Sequence, residues 1–486
     1  MINKQQHKKQ TISGLRWTVL NQIITQAITF GLGLFLMTLL PPTSFGLLGM
    51  VTVFSGFLSV FKDFGLGSSL IQRKNISEID INTVFWSTVG LGFVLTIILL
   101  VLSPFIASYY NEPSLLNITI VLSFLFIIQS FSSIQLSMLK KQMNFKLLFK
   151  IKVTATVLAG LTALILAYFD FGVWALVAQQ LLNATLITIL LFLLYEYKPK
   201  IKFDKSILKS HLNFSLPLVG RGSVNYWSRN ADNFLIGKFL GAELLGIYTR
   251  SYSIMMLPVS RISGVISSVM FPSLSLIQDD HIRVNTIFLK ITRTIAFITF
   301  PLMAILTIGA ESFIKFLFDE RWYEMIPVLQ VLASVGALHS IGTLNGNIFM
   351  LKAKTKLDFK LTMFNSFLYV LGFIISSQYN LLTLVYTYLF ISIFLMIINW
   401  FYVASIMNMS FKKIIYNILP HFIIYVIVIS TGLFLFDSNY ISVGYFFKLI
   451  LSFFYGLILW FIIFFVFQKK EIHNNINILK SFISKS

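Results

Sequence analysis

Apolar runs of eighteen or more residues succeed one another from Gly14 to Phe467, separated only by short polar breaks. A helix of about that length spans the roughly 30 Å hydrocarbon layer of a bilayer, and lipid tolerates only segments that bond their own backbone groups. The chain therefore reads as an all-α polytopic membrane protein. With 57% of its residues apolar and 12% charged, no water-soluble core could absorb the excess.

Fourteen transmembrane helices are expected, at 14 to 40, 45 to 71, 83 to 108, 114 to 138, 150 to 169, 172 to 195, 212 to 238, 245 to 271, 286 to 309, 325 to 350, 357 to 378, 380 to 405, 413 to 436 and 441 to 467. Their breaks carry turn formers such as Pro41-Pro42, Asn111-Glu112-Pro113 and Asp170-Phe171-Gly172. An even count leaves both termini on one side. The basic start of the chain, Lys4, Lys8 and Lys9, resembles a signal peptide, but the apolar stretch behind it runs to Leu40 without a small-residue cleavage site, which predicts a retained first span. The expected organisation is a six-helix lobe over 1–195, a linker over 196–211, a second six-helix lobe over 212–405, two additional helices over 406–467 and a tail over 468–486.

Orientation follows from lysine and arginine, which retain short loops in the cytoplasm. The N-terminus, every second loop and the C-terminus hold most of the 38 basic residues, whereas the opposite loops hold Lys238, Lys315 and Arg321. Both termini are thus expected to be cytoplasmic, and the net charge of +20 needs no nucleic acid to explain it. Cysteine is absent, and the six histidines show no helical pairing, so neither thiolate chemistry nor a metal site is expected.

Once the residues counted with the loops and the basic flanks of the spans are subtracted, eight charged side chains are singled out within the expected spans: Lys62, Asp63, Arg221, Arg229, Asp232, Arg250, Arg261 and Lys448. At roughly 2.5 to 3.5 kcal/mol each on insertion scales, they would together cost on the order of 20 kcal/mol against lipid, so they are expected to face water or one another. Arg221, Asn225, Arg229 and Asp232 follow at i, i+4, i+8 and i+11, one stripe of a helix, and Arg250 and Arg261 are three turns apart. Gln22, Gln26 and Thr29 add a neutral polar stripe on the first span. Six cations against two carboxylates favour an anionic cargo, and guanidinium groups suit phosphate. Arg221, Asn225, Arg229, Arg261, Arg250 and Lys448 are accordingly the candidate substrate contacts, with Asp63 and Asp232 as candidate proton or sodium sites. Competing structural readings are headgroup contact for Arg250 and Lys448 and simple neutralisation of Arg229 by Asp232.

Pro217, Pro258 and Pro301 fall inside expected spans, where each removes a helical hydrogen bond. The chain also carries a weak internal repeat. Leu40, Gly46 and Ser68 fall on Leu240, Gly246 and Ser268, and Ile81-Asn82-Thr83-Val84-Phe85 falls on Val284-Asn285-Thr286-Ile287-Phe288. Six spans separate the copies, which predicts two lobes related by a pseudo-twofold along the membrane normal.

Thr11-Ile12-Ser13-Gly14-Leu15-Arg16-Trp17, the segment from Phe45-Gly46-Leu47-Leu48-Gly49 to Leu70-Ile71-Gln72-Arg73, and Gly172-Val173-Trp174-Ala175-Leu176-Val177 carry a family resemblance. So do Leu240-Gly241-Ala242-Glu243-Leu244-Leu245-Gly246-Ile247-Tyr248, Phe271-Pro272-Ser273-Leu274, Arg321-Trp322 and Ile326-Pro327-Val328-Leu329-Gln330. As a set they resemble the polysaccharide flippases of the multidrug/oligosaccharidyl-lipid/polysaccharide exporter superfamily, especially the colanic-acid and teichuronic-acid exporter branch. The resemblance implies a transporter in the bacterial cytoplasmic (inner) membrane, not an enzyme. It would move undecaprenyl-diphosphate-linked oligosaccharide from the cytoplasmic to the outer leaflet for capsule, exopolysaccharide or lipopolysaccharide O-antigen assembly. The same resemblance implies alternating access around a V-shaped cavity, no cofactor, and a proton gradient, sodium gradient or membrane potential as the driving force. Membrane lipids, a polysaccharide polymerase and other assembly proteins are the implied partners. Three alternatives compete. A drug or cation exporter of the same superfamily would favour more acidic residues; a membrane polymerase or ligase would need a larger outer loop than Ala310 to Glu324; a scaffold for the biosynthetic complex would not transport.

Overall fold

In the computed structural model the described residues, 4–62, 64–436 and 443–483, form helices joined by short turns, with no strand among them. Within the helices, the side chains at 4–16, 19, 213–218, 221, 265, 268, 269, 272 and 467–483 lie outside the description. Asp63 lies outside it altogether. The chain divides into two compact units, Met1–Gly246 and Ile247–Ser486.

The first unit contains α1 (Lys4–Leu39), α2 (Pro42–Ser59), α3 (Leu66–Gln72), α4 (Glu78–Tyr110), α5 (Ser114–Lys141), α6 (Phe145–Tyr168) and α7 (Val173–Leu194). The boundary falls inside α8 (Lys205–Ser275), whose two limbs meet at Gly241, where φ of 88° places the backbone in a region that glycine enters freely. The second unit continues through α9 (His281–Leu317), α10 (Met325–Gly342), α11 (Asn345–Leu351), α12 (Thr355–Ser376), α13 (Leu381–Ile406), α14 (Phe411–Phe436) and α15 (Tyr445–Ile483). Twelve segments among the described residues are long and apolar enough to cross a membrane. The other two expected spans, 212 to 238 and 245 to 271, correspond to the limbs of α8, which the arginines and asparagines make more polar.

Two expected spans are interrupted. The helix expected over 45 to 71 stops at Ser59 and resumes at Leu66, with Phe64 and Gly65 at φ of 47° and 68°. Lys62 lies in that gap, where a break in backbone bonding is tolerated only beside protein or water. Similarly, 325 to 350 divides into α10 and α11. The three prolines singled out within expected spans do not end their helices. Pro301 lies inside α9, and the departure from helical geometry within α8 falls at Gly241, not at Pro217 or Pro258.

The turns follow local chemistry. Ser77 and Asp80 close a reciprocal capping box at the start of α4, and Asn111 ends that helix with φ of 56°. Asn144, Asp280 and Asn380 cap α6, α9 and α13 through their side-chain oxygens. Pro42 occupies the first turn of α2, where its missing N–H costs nothing.

In the first unit α4 packs on α5, α6 on α7 and α1, and α5 on α7; in the second, α9 is wrapped by α10, α14 and α15. Close approach replaces the hydrophobic effect as the glue in lipid, and small residues permit it. The tightest case is reciprocal. A Cβ on Gly46 would overlap the Ala242 carbonyl oxygen, and a Cβ on Gly246 would overlap that of Pro42. Under the shift of the internal repeat Gly46 corresponds to Gly246 and Pro42 to Ala242, so the two contacts are copies of each other.

The segment after α7 is pinned to the start of α4. The Asn82 Oδ1 accepts from the Tyr197 hydroxyl at 2.7 Å and the Lys200 N–H at 2.8 Å, the Trp86 indole donates to the Lys200 carbonyl at 2.9 Å, and the Asp204 N–H donates to Thr83 Oγ1 at 3.1 Å. Asp204 then caps α8, accepting from Ser206 and Ile207; the Ser206 side chain, followed by those backbone N–H groups, holds its carboxyl below the usual range. One turn on, His211 is fully buried against Ser69 and lies 3.6 Å from Asp80, which also pairs with Arg73. The repeat copy of Asn82, Asn285, donates to the Met407 carbonyl at 3.1 Å, at the end of α13. The same amide therefore holds the segment that follows the sixth helix of each repeat.

Candidate functional site

Inside the helix bundle of the first unit is a cavity of about 470 Å³, lined by α1, the gap after α2, α5, α6 and α7. Nine of its thirteen lining side chains are polar: Thr29, Lys62, Gln129, Ser132, Lys152, Thr156, Gln179, Gln180 and Asn183. The interrupted second span places Lys62 at the wall, and its ammonium donates to Gln129 Oε1 at 2.7 Å. Asn183 Nδ2 donates to Thr156 Oγ1 at 3.4 Å. Lys152, half-buried about two turns into α6, brings a second cation to the lining. The described lining contains no carboxylate. Two cations among amides and hydroxyls, within a bundle of apolar helices, form a place where an anion is stabilised more than in bulk water.

The residues singled out by charge and spacing are distributed differently. Asn225 and Arg229 are exposed on the first limb of α8, whereas Asp232, expected on the same stripe, is buried at 8% exposure and accepts the Asn233 N–H at 2.8 Å. Arg250 and Arg261 are half-buried on the second limb, in the other unit. Lys448 has a structural contact: its ammonium donates at 3.2 Å to the carbonyl of Phe436, the last residue of α14. The Arg221 side chain and Asp63 lie outside the described residues. No cluster of three or more potential metal ligands occurs among the described residues.

Lys152, Gln129, Gln179, Gln180 and Asn183 escaped the sequence reading. Lys152 belongs to a lysine-rich break and was counted as loop, while uncharged amides do not stand out in a tally of charges. Their spacing was the available signal: Lys152 and Thr156, like Gln179 and Asn183, are four residues apart on apolar spans and so share a face.

This sequence matches the family described as "Polysaccharide biosynthesis protein" over residues 35–327. The chain belongs to the polysaccharide biosynthesis protein family. Among curated members it is 31% identical to "Lipopolysaccharide biosynthesis protein WzxC" of Escherichia coli (strain K12), with 76% of each chain covered. It is 30% identical to "Teichuronic acid biosynthesis protein TuaB" of Bacillus subtilis (strain 168), over 86% of this chain and 87% of that one. Its fold is similar to that of "Lipid II flippase MurJ, inward closed conformation", with a TM-score of 0.73 at 15% identity, covering 93% of this chain and all of the other. This polysaccharide biosynthesis family member is a multi-pass membrane protein. The family expected from the motifs between Thr11 and Gln330 is the one found.

Proposed function

We propose that the protein is a flippase for undecaprenyl-diphosphate-linked oligosaccharide, moving repeat units from the cytoplasmic to the outer leaflet of the bacterial inner membrane by alternating access. Both termini are then cytoplasmic, as the lysine distribution favours. The observation that carries the reading is the cation-bearing polar cavity within the membrane-spanning bundle of a transport fold. A drug or cation carrier would be served by acidic walls, which the described lining lacks. In this reading the arginines of α8, with Asn225, meet the diphosphate, the saccharide occupies wet space, and the polyprenyl chain stays in lipid, since exposing it would cost about 0.8 kcal/mol per methylene. Anion binding favours whichever state offers it more cationic contact, which is how cargo shifts a two-state equilibrium. Asp63 and Asp232 are the proposed coupling residues for a proton or sodium gradient.

The test is leaflet transfer of fluorescent lipid-linked oligosaccharide in proteoliposomes, comparing wild type with Arg229→Ala and Arg261→Ala. Transfer by the wild type and a fall of about tenfold or more in each variant is expected for charge-assisted contacts worth roughly 1.5 to 3 kcal/mol. No transfer by the wild type would make the protein a non-transporting partner of the biosynthetic complex and refute the proposal.

A further inference from the structure

One end of the second unit is strongly basic. Over residues 343–420 the chain has six lysines, Lys352, Lys354, Lys356, Lys360, Lys412 and Lys413, against a single carboxylate, Asp358. The short connection at 377–380 makes α12 and α13 an antiparallel pair, so the start of α12, the end of α13 and the start of α14 lie together. Lys352 is engaged by the Gln278 carbonyl at 3.2 Å and by His281 Nδ1 at 2.8 Å. The ammonium groups of Lys356, Lys360, Lys412 and Lys413 have no hydrogen bond or ion pair among the described residues.

At this end a groove of about 610 Å³ runs along α12 and α13. Eight of its nine lining residues are apolar or aromatic, and the ninth is Lys360. Leu357, Leu361 and Phe364 share one face of α12, and Ile397 and Phe401 stand one turn apart on α13. Phe411, the first residue of α14, joins them with its ring centroid 6.1 Å from that of Phe401. Phe364, Ile397 and Phe401 are 43%, 45% and 56% exposed, so the groove opens on the surroundings of the bundle. A lysine that only retains a loop on one side of the membrane projects into water. Lys360 instead lines the groove about 8 Å past the start of α12, at 1.5 Å per residue.

From this juxtaposition we propose that the groove is a specific site for an anionic glycerophospholipid of the phosphatidylglycerol type. The phosphate meets Lys360 at the basic end, and one acyl chain lies between α12 and α13. Basic pockets between membrane helices collect anionic headgroups, whereas a zwitterionic headgroup carries its own ammonium and gains less from an excess of lysine. Apart from the Tyr402 hydroxyl and Lys360 the lining has no polar side chain, so it suits hydrocarbon and not a saccharide. From Leu357 to Phe364 the groove extends about 10 Å along α12, within one leaflet of a roughly 30 Å hydrocarbon layer, as befits a resident lipid and not one that crosses. A lipid seated there touches three helices and stabilises the folded protein by binding it. The site stands whether or not the chain carries a lipid-linked saccharide.

The test uses purified full-length protein in phosphatidylethanolamine nanodiscs containing phosphatidylglycerol with a photoreactive acyl chain. Crosslinks are expected to concentrate on the peptides bearing Phe364, Ile397 and Phe401 and to fall about tenfold in Lys360→Gln. They should stay within about twofold of wild type in Lys360→Arg, which keeps the charge, and in Lys74→Gln, which removes an exposed charge from the first unit. Ile397→Trp, which fills the groove without altering charge, should lower labelling as Lys360→Gln does, and carries the test if the latter fails to fold. Labelling spread evenly over the helices, equal labelling by a photoreactive phosphatidylethanolamine, or an equal fall in Lys74→Gln overturns the proposal. So does displacement of the probe by undecaprenyl phosphate but not by unlabelled phosphatidylglycerol, because the groove would then hold a polyprenyl chain. Melting temperature gives a second readout. Added phosphatidylglycerol should raise it in wild type and Lys360→Arg but not in Lys360→Gln; an equal rise in all three overturns the site.

Discussion

At the scale of single residues, the structure separates positions where a methyl group is neutral from those where it is ruinous. A Cβ on Gly33 meets nothing within 4 Å, so Gly33→Ala near the C-terminal end of α1 gains helix propensity without a clash. Gly246→Ala drives the new carbon into the Pro42 carbonyl, which belongs to the backbone and cannot rotate aside. Overpacking of this sort typically costs about 1 to 3 kcal/mol and more where the backbone must move. In detergent, Gly246→Ala should unfold at clearly lower temperature than wild type while Gly33→Ala unfolds at or above it; matching melting curves for both variants would show that the crossing can relax. Charge works by a different rule. Lys448, expensive in lipid and therefore conspicuous in the sequence, completes the end of a neighbouring helix, whereas Lys152, discounted as part of a basic break, reaches a cavity. Sequence reveals which charges are costly to bury, and only packing reveals what each one meets.

Among whole elements, the segment after α7 shows how a connection is held. Asn82 Oδ1 receives two hydrogen bonds from it, so Asn82→Ala would strand the Tyr197 hydroxyl and the Lys200 N–H together. Leaving such groups unmatched costs about 1 to 3 kcal/mol each when they are buried, and less here where they are partly exposed. Asn82→Ala should speed protease cleavage near Ile201, which is already 92% exposed, while Asn285→Ala should leave that site unchanged and loosen the turn at Met407 instead. A cleavage rate unaffected by Asn82→Ala would mean that Trp86 and Thr83 suffice. Helices were the legible elements because hydrophobic length and turn residues specify them nearly alone: Asn111, Asp170 and Gly172 adopt positive φ where the sequence predicts breaks. The gap between α2 and α3 was not legible, since Val60 and Phe61 continue the apolar run and nothing local forbids a helix. Nor was the cavity, because it depends on four separate helices turning polar side chains toward one another.

For the whole molecule, the proposed orientation has a direct check, since a chain without cysteine can be labelled at one introduced thiol at a time. Ile201, 92% exposed, follows the sixth expected span, and Tyr379, 71% exposed, follows the eleventh. With both termini cytoplasmic, Tyr379→Cys should react with a membrane-impermeant maleimide in intact cells and Ile201→Cys only after the membrane is opened. The inverse pattern would turn the protein over and with it the direction of transfer. The repeat has a subtler consequence at this scale. Because Gly46 lies under Ala242 just as Gly246 lies under Pro42, one copy of the short Pro-to-Gly stretch possesses both the bump and the hollow of the crossing. Such a stretch is its own counterpart, the property that lets a peptide dock onto its twin.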